Sequence, residues 1–181
     1  CDARLEQGRV MDTQASLWSR IGATVAQEFS DVADVEQITR LVLRLALAAL
    51  LGGILGFERE AKGKDAGVRT HMLVCMGAAM FVLVSQQAGV LAGDMSRVIQ
   101  GVIAGVGFLG AGTILKSDDE QRVKGLTTAA GIWLTAAVGV AAGMGRETTA
   151  ILSALLALAT LGLVPLLARL LHRASTDASS R

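Results

Sequence analysis

Five stretches of this sequence, at about residues 41–57, 70–91, 98–115, 125–145 and 148–168, hold a single charged side chain between them, Arg44. A hydrocarbon layer of about 30 Å needs about 20 helical residues to cross it, so each stretch has the length and apolarity of a transmembrane helix. Arg44 lies near one end of the first stretch, where its stem can snorkel to the interface. A chain that is 52% hydrophobic and 18% charged, with mean hydropathy +0.52, is too apolar for an ordinary soluble domain. The expected fold is an all-α integral membrane protein, a bundle of five transmembrane helices over residues 38–172. With 21 glycines, no tyrosine and one proline, the apolar content is small and aliphatic, which suits close helix packing.

Basic residues set the expected orientation. Arg59, Lys62, Lys64 and Arg69 fall between the first and second spans. Lys116, Arg122 and Lys124 fall between the third and fourth, and Arg169, Arg173 and Arg181 follow the fifth. The two remaining loops hold only Arg97 and Arg146. The amino terminus is expected outside and the carboxyl terminus in the cytoplasm.

Ahead of the bundle, residues 1–37 read as an extracytoplasmic tail. In it Leu17, Ile21, Val25, Phe29 and Val32 recur at three or four residues, one face of an amphipathic interfacial helix or of a helical tail without a role of its own. The chain starts with Cys1, and Met11 is an alternative start. The first span lacks the small-residue pattern of a cleaved signal, since it ends in Glu58-Arg59-Glu60. Residues 173–181 are short, Ser-rich and expected to be disordered. Cys1 and Cys75 are too far apart for a disulfide framework or a metal-spaced cluster.

Gly105-Val106-Gly107-Phe108-Leu109-Gly110 spells the dinucleotide pattern, but it lies mid-span with no strand before it. A phosphate loop fails too, because Leu115 stands where its second glycine belongs. Glycine here serves packing: Gly52 with Gly56, Gly101 with Gly105, and Gly139 with Gly143 have the spacing that lets helix backbones meet.

The ends of the spans carry the polar chemistry. Glu58, Arg59 and Glu60 close the first; Arg69, Thr70 and His71 open the second; Lys124, Thr127 and Thr128 open the fourth. Two helix N-termini would face the basic side and attract an anion. That anion is either internal, with Glu58 neutralised by Arg69, or external, such as phosphate or an acidic partner. The alternative is topology-setting charge with threonine caps. Gly67-Val68-Arg69-Thr70 and Gly125-Leu126-Thr127-Thr128 open their spans alike, as a faint repeat or by coincidence. Gln100, Thr113, Thr127, Thr128 and Thr135 are expected in the bundle interior, bonded across helices or back to carbonyls. No span contains Asp or Glu, which argues against a self-contained Mg²⁺ transporter or proton pump. A site at the mouth formed by Glu58, Glu60, Asp118, Asp119 and Glu120 stays open, and whether a metal binds is undetermined. No nucleophile, base and orienting group come together, so no enzyme and no cofactor is expected. A net charge of +1 gives no bias toward nucleic acid.

Leu51-Gly52-Gly53-Ile54-Leu55-Gly56-Phe57-Glu58-Arg59-Glu60, followed by Gly67-Val68-Arg69-Thr70-His71-Met72-Leu73-Val74, resembles the opening signature of the MgtC/SapB family. Gly105 to Ile114, and Gly125 to Ala130 with Trp133, resemble its third and fourth helices in the same order. The resemblance implies a bacterial inner-membrane protein tied to growth under magnesium limitation and, in some pathogens, to survival inside host cells. It marks Glu58, Arg59, Glu60, Arg69, Thr70, His71, Gly107, Gly110, Gly112, Thr113, Thr127 and Thr128 as signature positions without a chemical role. The soluble carboxyl-terminal domain of some members is not expected, because the chain stops shortly after its fifth span. Three readings follow. The first is a non-enzymatic regulator that sits in the lipid bilayer and acts through helix contacts with itself or another membrane complex, in a magnesium or envelope-stress setting; the second is a small ion transporter or channel beside Gln100, Thr113, Thr127 and Thr128; the third is a sensor of anions at the cytoplasmic helix ends.

Overall fold

A computed structural model describes residues 17–28, 34–91, 93–115 and 124–179. Asp118, Asp119 and Glu120, Phe29 and Val32, and the first sixteen residues lie outside that set. All regular structure among the described residues is helical. Helix α1 covers residues 17–28, with Leu17, Ile21 and Val25 half-exposed along one side. It is followed by α2 (Val35–Ala61), α3 (Val68–Gln87), α4 (Met95–Leu115), α5 (Leu126–Gly143) and α6 (Glu147–Ser179).

Among the described residues, helices α2 to α6 are the five that are long and apolar enough to cross a membrane. The first and last of them outrun the expected spans by the most. Asp34 accepts a hydrogen bond from the Glu36 amide at 3.3 Å, and Glu36 pairs with Arg40 one turn on, so α2 starts at Val35 rather than near Leu41. At the other end α6 runs to Ser179, through residues expected as a disordered tail. Beyond Pro165 the sequence has neither glycine nor proline and is rich in Leu, Ala and Arg, which are good helix formers.

Close approach of backbones, rather than bulky side chains, organises the bundle. A Cβ on Gly52 would lie 2.6 Å from the His71 carbonyl oxygen, and one on Gly56 would lie 2.6 Å from Val68 Cα. Further along the same stripe of α3, a Cβ on Gly143 would lie 2.6 Å from the Ala79 carbonyl oxygen, and Gly139 is pressed onto Cys75. The His71, Cys75 and Ala79 stripe of α3 therefore takes glycine faces of both α2 and α5. One core cluster joins Ala48, Leu51 and Leu55 of α2, Cys75 and Ala79 of α3, Val138 and Ala142 of α5, and Ala150, Ala154 and Ala157 of α6. A second joins Ala78 of α3, Val102 and Val106 of α4, and Ile132 and Ala136 of α5. The pair α3 and α5 is thus the centre, with α2 and α6 on one side and α4 on the other.

Helix α4 is the outlier. Only 11% of its apolar window is buried, against 44% for α5. Nothing lies within 4 Å of a Cβ built on Gly101, Gly105, Gly107 or Gly112, so the pair Gly101 and Gly105, unlike the other two, touches no helix among the described residues and instead lines a groove of about 580 Å³ beside α3. Gly110 alone faces a neighbour, Ala129 of α5, at an ordinary 3.4 Å.

Candidate functional site

The alternating course of the helices brings the end of α2, the starts of α3 and α5, and the middle of α6 to one end of the bundle. Glu60, Gly67, Arg69, Thr70, His71, Thr127 and Thr128 therefore share that end, as do Thr113 and Lys124. Gln100 does not. It lies thirteen positions before Thr113 on α4, about 20 Å away along the axis. Of the four groups named for an ion path, Thr113, Thr127 and Thr128 share this end and Gln100 stands toward the other.

The α3 N-terminus already holds its anion, and the anion is Glu60. Its Oε2 accepts the Val68 amide at 2.9 Å from across the connecting loop, while Gly67, the N-cap, offers no side-chain cap. A Cβ on Gly67 would overlap that carboxylate, so glycine keeps the approach open. Arg69 and Thr70 are exposed. Arg69, offered as one of two alternatives for the anion at this end, is not the partner of Glu58: Glu58 Oε1 meets the Lys62 ammonium, and its Oε2 lies 3.4 Å from Arg59 Nη1. The reason is reach along one helix, since Lys62 stands one turn after Glu58. Lys62 also donates to the Leu161 carbonyl at 2.7 Å, tying the loop to α6.

At α5 the N-cap is Gly125 in a left-handed conformation, φ 92°, without a side-chain cap, whereas Gly67 is extended. The two similar openings are built differently. A Cβ on Gly125 would lie 2.6 Å from the Thr113 carbonyl oxygen, which adds a steric reason to the dihedral one. Thr113 and Thr135 bond back to the carbonyls of Gly110 and Gly131, and Thr128 is buried.

Substituting Glu60 tests this capping arrangement. Glu60→Ala is expected to lower stability by about 1 kcal/mol through loss of a charged cap on the α3 amide. Thermal melting of the detergent-solubilised chain measures it, and an unchanged midpoint would mean that water replaces the carboxylate at no cost.

Between α2, α3, α5 and α6 lies a half-open cavity of about 400 Å³. Arg59 and His71 form its buried polar end, at 3% and 1% exposure. From α5 come Thr127, Gly131 and Thr135, and from α6 Ser153 and Thr160. Arg59 Nε and Nη2 and His71 Nε2 are buried without a hydrogen-bond partner. His71 Nδ1 lies 3.0 Å from the Gly67 carbonyl oxygen, which can only accept, so Nδ1 carries a proton. Sequence reading marked Arg59 and His71 but not Gly131, Ser153 or Thr160. Their signal was there in the four-residue steps of 127, 131 and 135 and the two-turn step from 153 to 160. Among the described residues no three His, Cys, Asp or Glu side chains gather where a metal could sit.

Five apolar helices around a small-residue core, with charge confined to their ends, define a multi-pass membrane protein. The MgtC family model matches residues 45–170, and the chain belongs to that family. It is 46% identical over 135 residues to Protein SrpB of Synechococcus elongatus, covering 67% of this chain and 72% of that one. It is 45% identical over 127 residues to the putative magnesium transporter YhiD of Escherichia coli K12, covering 66% of this chain and 58% of the relative. Against Protein MgtC of Brucella abortus the identity is 50% over 103 residues, 56% of this chain and 41% of the relative. The chain thus spans less than two thirds of YhiD and of the Brucella protein. No solved structure matches it.

Proposed function

We propose that this protein is a non-enzymatic regulator of the bacterial inner membrane, oriented with its basic loops in the cytoplasm, that acts by pairing α4 with α4 of a second copy. Its setting in this reading is magnesium limitation, which the family resemblance implies, or envelope stress. The observation that carries the reading is the glycine face of α4, which with Leu73, Gly77 and Phe81 of α3 lines an open groove of about 580 Å³ that no helix among the described residues fills. Each glycine in a helix interior costs about 1 kcal/mol relative to alanine, and lipid, with no backbone to dock, returns nothing for it. Gly101, Gly105 and Gly112 stand four and seven positions apart, on one side of α4, and are open. A symmetric helix pair is the simplest occupant, because one stripe then serves both partners.

An Ala104→Cys variant oxidised in native membranes is expected to give a disulfide-linked dimer. Adding Gly105→Leu is expected to reduce the dimer at least about fivefold, as a loss of about 1 kcal/mol in packing would, with the monomer's melting point unchanged. Recovery of monomer alone at normal expression would overturn the reading.

A second reading, a small ion carrier, is favoured by the half-open cavity at Arg59 and His71 and by the description of YhiD as a putative magnesium transporter. Liposomes containing only this chain separate the two. Magnesium or proton flux that disappears in Arg59→Gln would put the carrier in place of the regulator.

A further inference from the structure

The buried end of the cavity has donors with nothing to donate to. Arg59 gives Nη1 to Glu58, but its Nε and Nη2 are buried and unpartnered. Those two nitrogens form one edge of the guanidinium, the fork whose parallel N–H groups match two oxygens of a carboxylate or phosphate. Glu58 is shared with Lys62 and lies toward Nη1, so the free edge of Arg59 is left to the cavity.

His71 narrows the choice of oxyanion. With Nδ1 donating to Gly67, a neutral ring presents a lone pair at Nε2, which is likewise buried and unpartnered. A ligand meeting both groups must accept at Arg59 and donate at His71. A carboxylate can only accept. A hydrogen phosphate or a phosphomonoester monoanion does both. Room for it is left by Gly131, where a Cβ would stand 3.6 Å from Nε2.

We propose that this cavity binds a protonated phosphate group, with two oxygens on the Nε and Nη2 edge of Arg59 and its hydroxyl directed to His71 Nε2. Leu55, Leu134, Leu156 and Leu161 line the rest of the cavity, so the phosphate can be free or can head a lipid whose acyl chain lies along those walls. The site involves α2, α3, α5 and α6 and stands or falls independently of α4 pairing.

The test uses the full chain in phosphatidylcholine nanodiscs, with radiolabelled inorganic phosphate as one probe and phosphatidic acid, followed by native mass spectrometry, as the other. Saturable binding of phosphate, retention of phosphatidic acid, or both is expected, the pattern telling free phosphate from a lipid headgroup. Arg59→Lys keeps the charge and removes the fork, and is expected to weaken binding at least about tenfold. Gly131→Ala puts a methyl at ordinary contact distance from Nε2, where the ligand hydroxyl belongs, and is expected to weaken binding as much while leaving elution and melting as in the parent chain. Excess acetate is expected not to compete. Failure of both probes to bind, binding unchanged in Gly131→Ala, or competition by acetate equal to phosphate would overturn the proposal.

Discussion

Gly139→Ala is expected to cost this protein about 3 kcal/mol, toward the upper end of what overpacking a core does. The added Cβ would fall on the carbonyl oxygen of Cys75, with the Cys75 carbonyl carbon at 2.9 Å and its Cα at 3.0 Å. All three are backbone atoms of a helix, so no rotamer change relieves the overlap and α3 must move away from α5. It cannot do so freely, because the same residue also rests on α2, where Gly52 already meets the His71 carbonyl oxygen and Cys75 Cβ. A shift away from α5 therefore disturbs the α2 contact as well, and the cluster of Cys75, Ala79, Val138 and Ala142 loosens. The melting point in detergent should fall by something on the order of 10 °C. Gly101→Ala is the control, since its Cβ meets nothing within 4 Å and alanine favours the helix. Equal melting points for the two variants would mean that α3 and α5 are not in backbone contact.

That pair of glycine variants also shows where the sequence stops being informative. Spacing by four is the same in Gly52 with Gly56, Gly101 with Gly105, and Gly139 with Gly143, yet only the first and third meet another helix within the described chain. The motif describes one helix, and the partner depends on how five helices turn about their axes. Spans themselves were legible because twenty residues without charge have few alternatives to a membrane. Their ends were less so, since Asp34 and the Leu-rich run after Pro165 extend α2 and α6 by local capping and propensity rather than by apolarity. At the polar end, the signature placed Glu58, Glu60, Arg59 and Arg69 within a dozen positions but could not rank them. Helix phase does: Arg59 turns inward at 3% exposure, Glu60 reaches back to Val68, and Arg69 is left outside.

Arg44→Leu is expected to destabilise the opposite end of the bundle by about 2–3 kcal/mol, although leucine is the better residue for a membrane span. The reason is that Arg44 does not simply reach for the interface. Its Nη1 donates to Gln86 Oε1 at 3.1 Å and to the Gly143 carbonyl at 3.2 Å, and its Nε lies 3.8 Å from Glu147 Oε1. One guanidinium from α2 thus joins the end of α3, the end of α5 and the start of α6. Gly143 ends α5, where carbonyls lack helical partners and the helix dipole is negative, so a cation there both bonds and screens. Glu147 is half-exposed, and its share is small: Glu147→Gln is expected to change stability by no more than about 0.5 kcal/mol. Arg44→Lys should recover only part of the loss, because one ammonium keeps the charge at Gly143 but lacks the planar fork. Melting midpoints of the three variants, together with faster amide exchange at Met144 to Arg146 in Arg44→Leu, would establish the clamp. If Arg44→Leu melted with the parent chain, the contacts would be incidental and the side chain no more than an interfacial anchor.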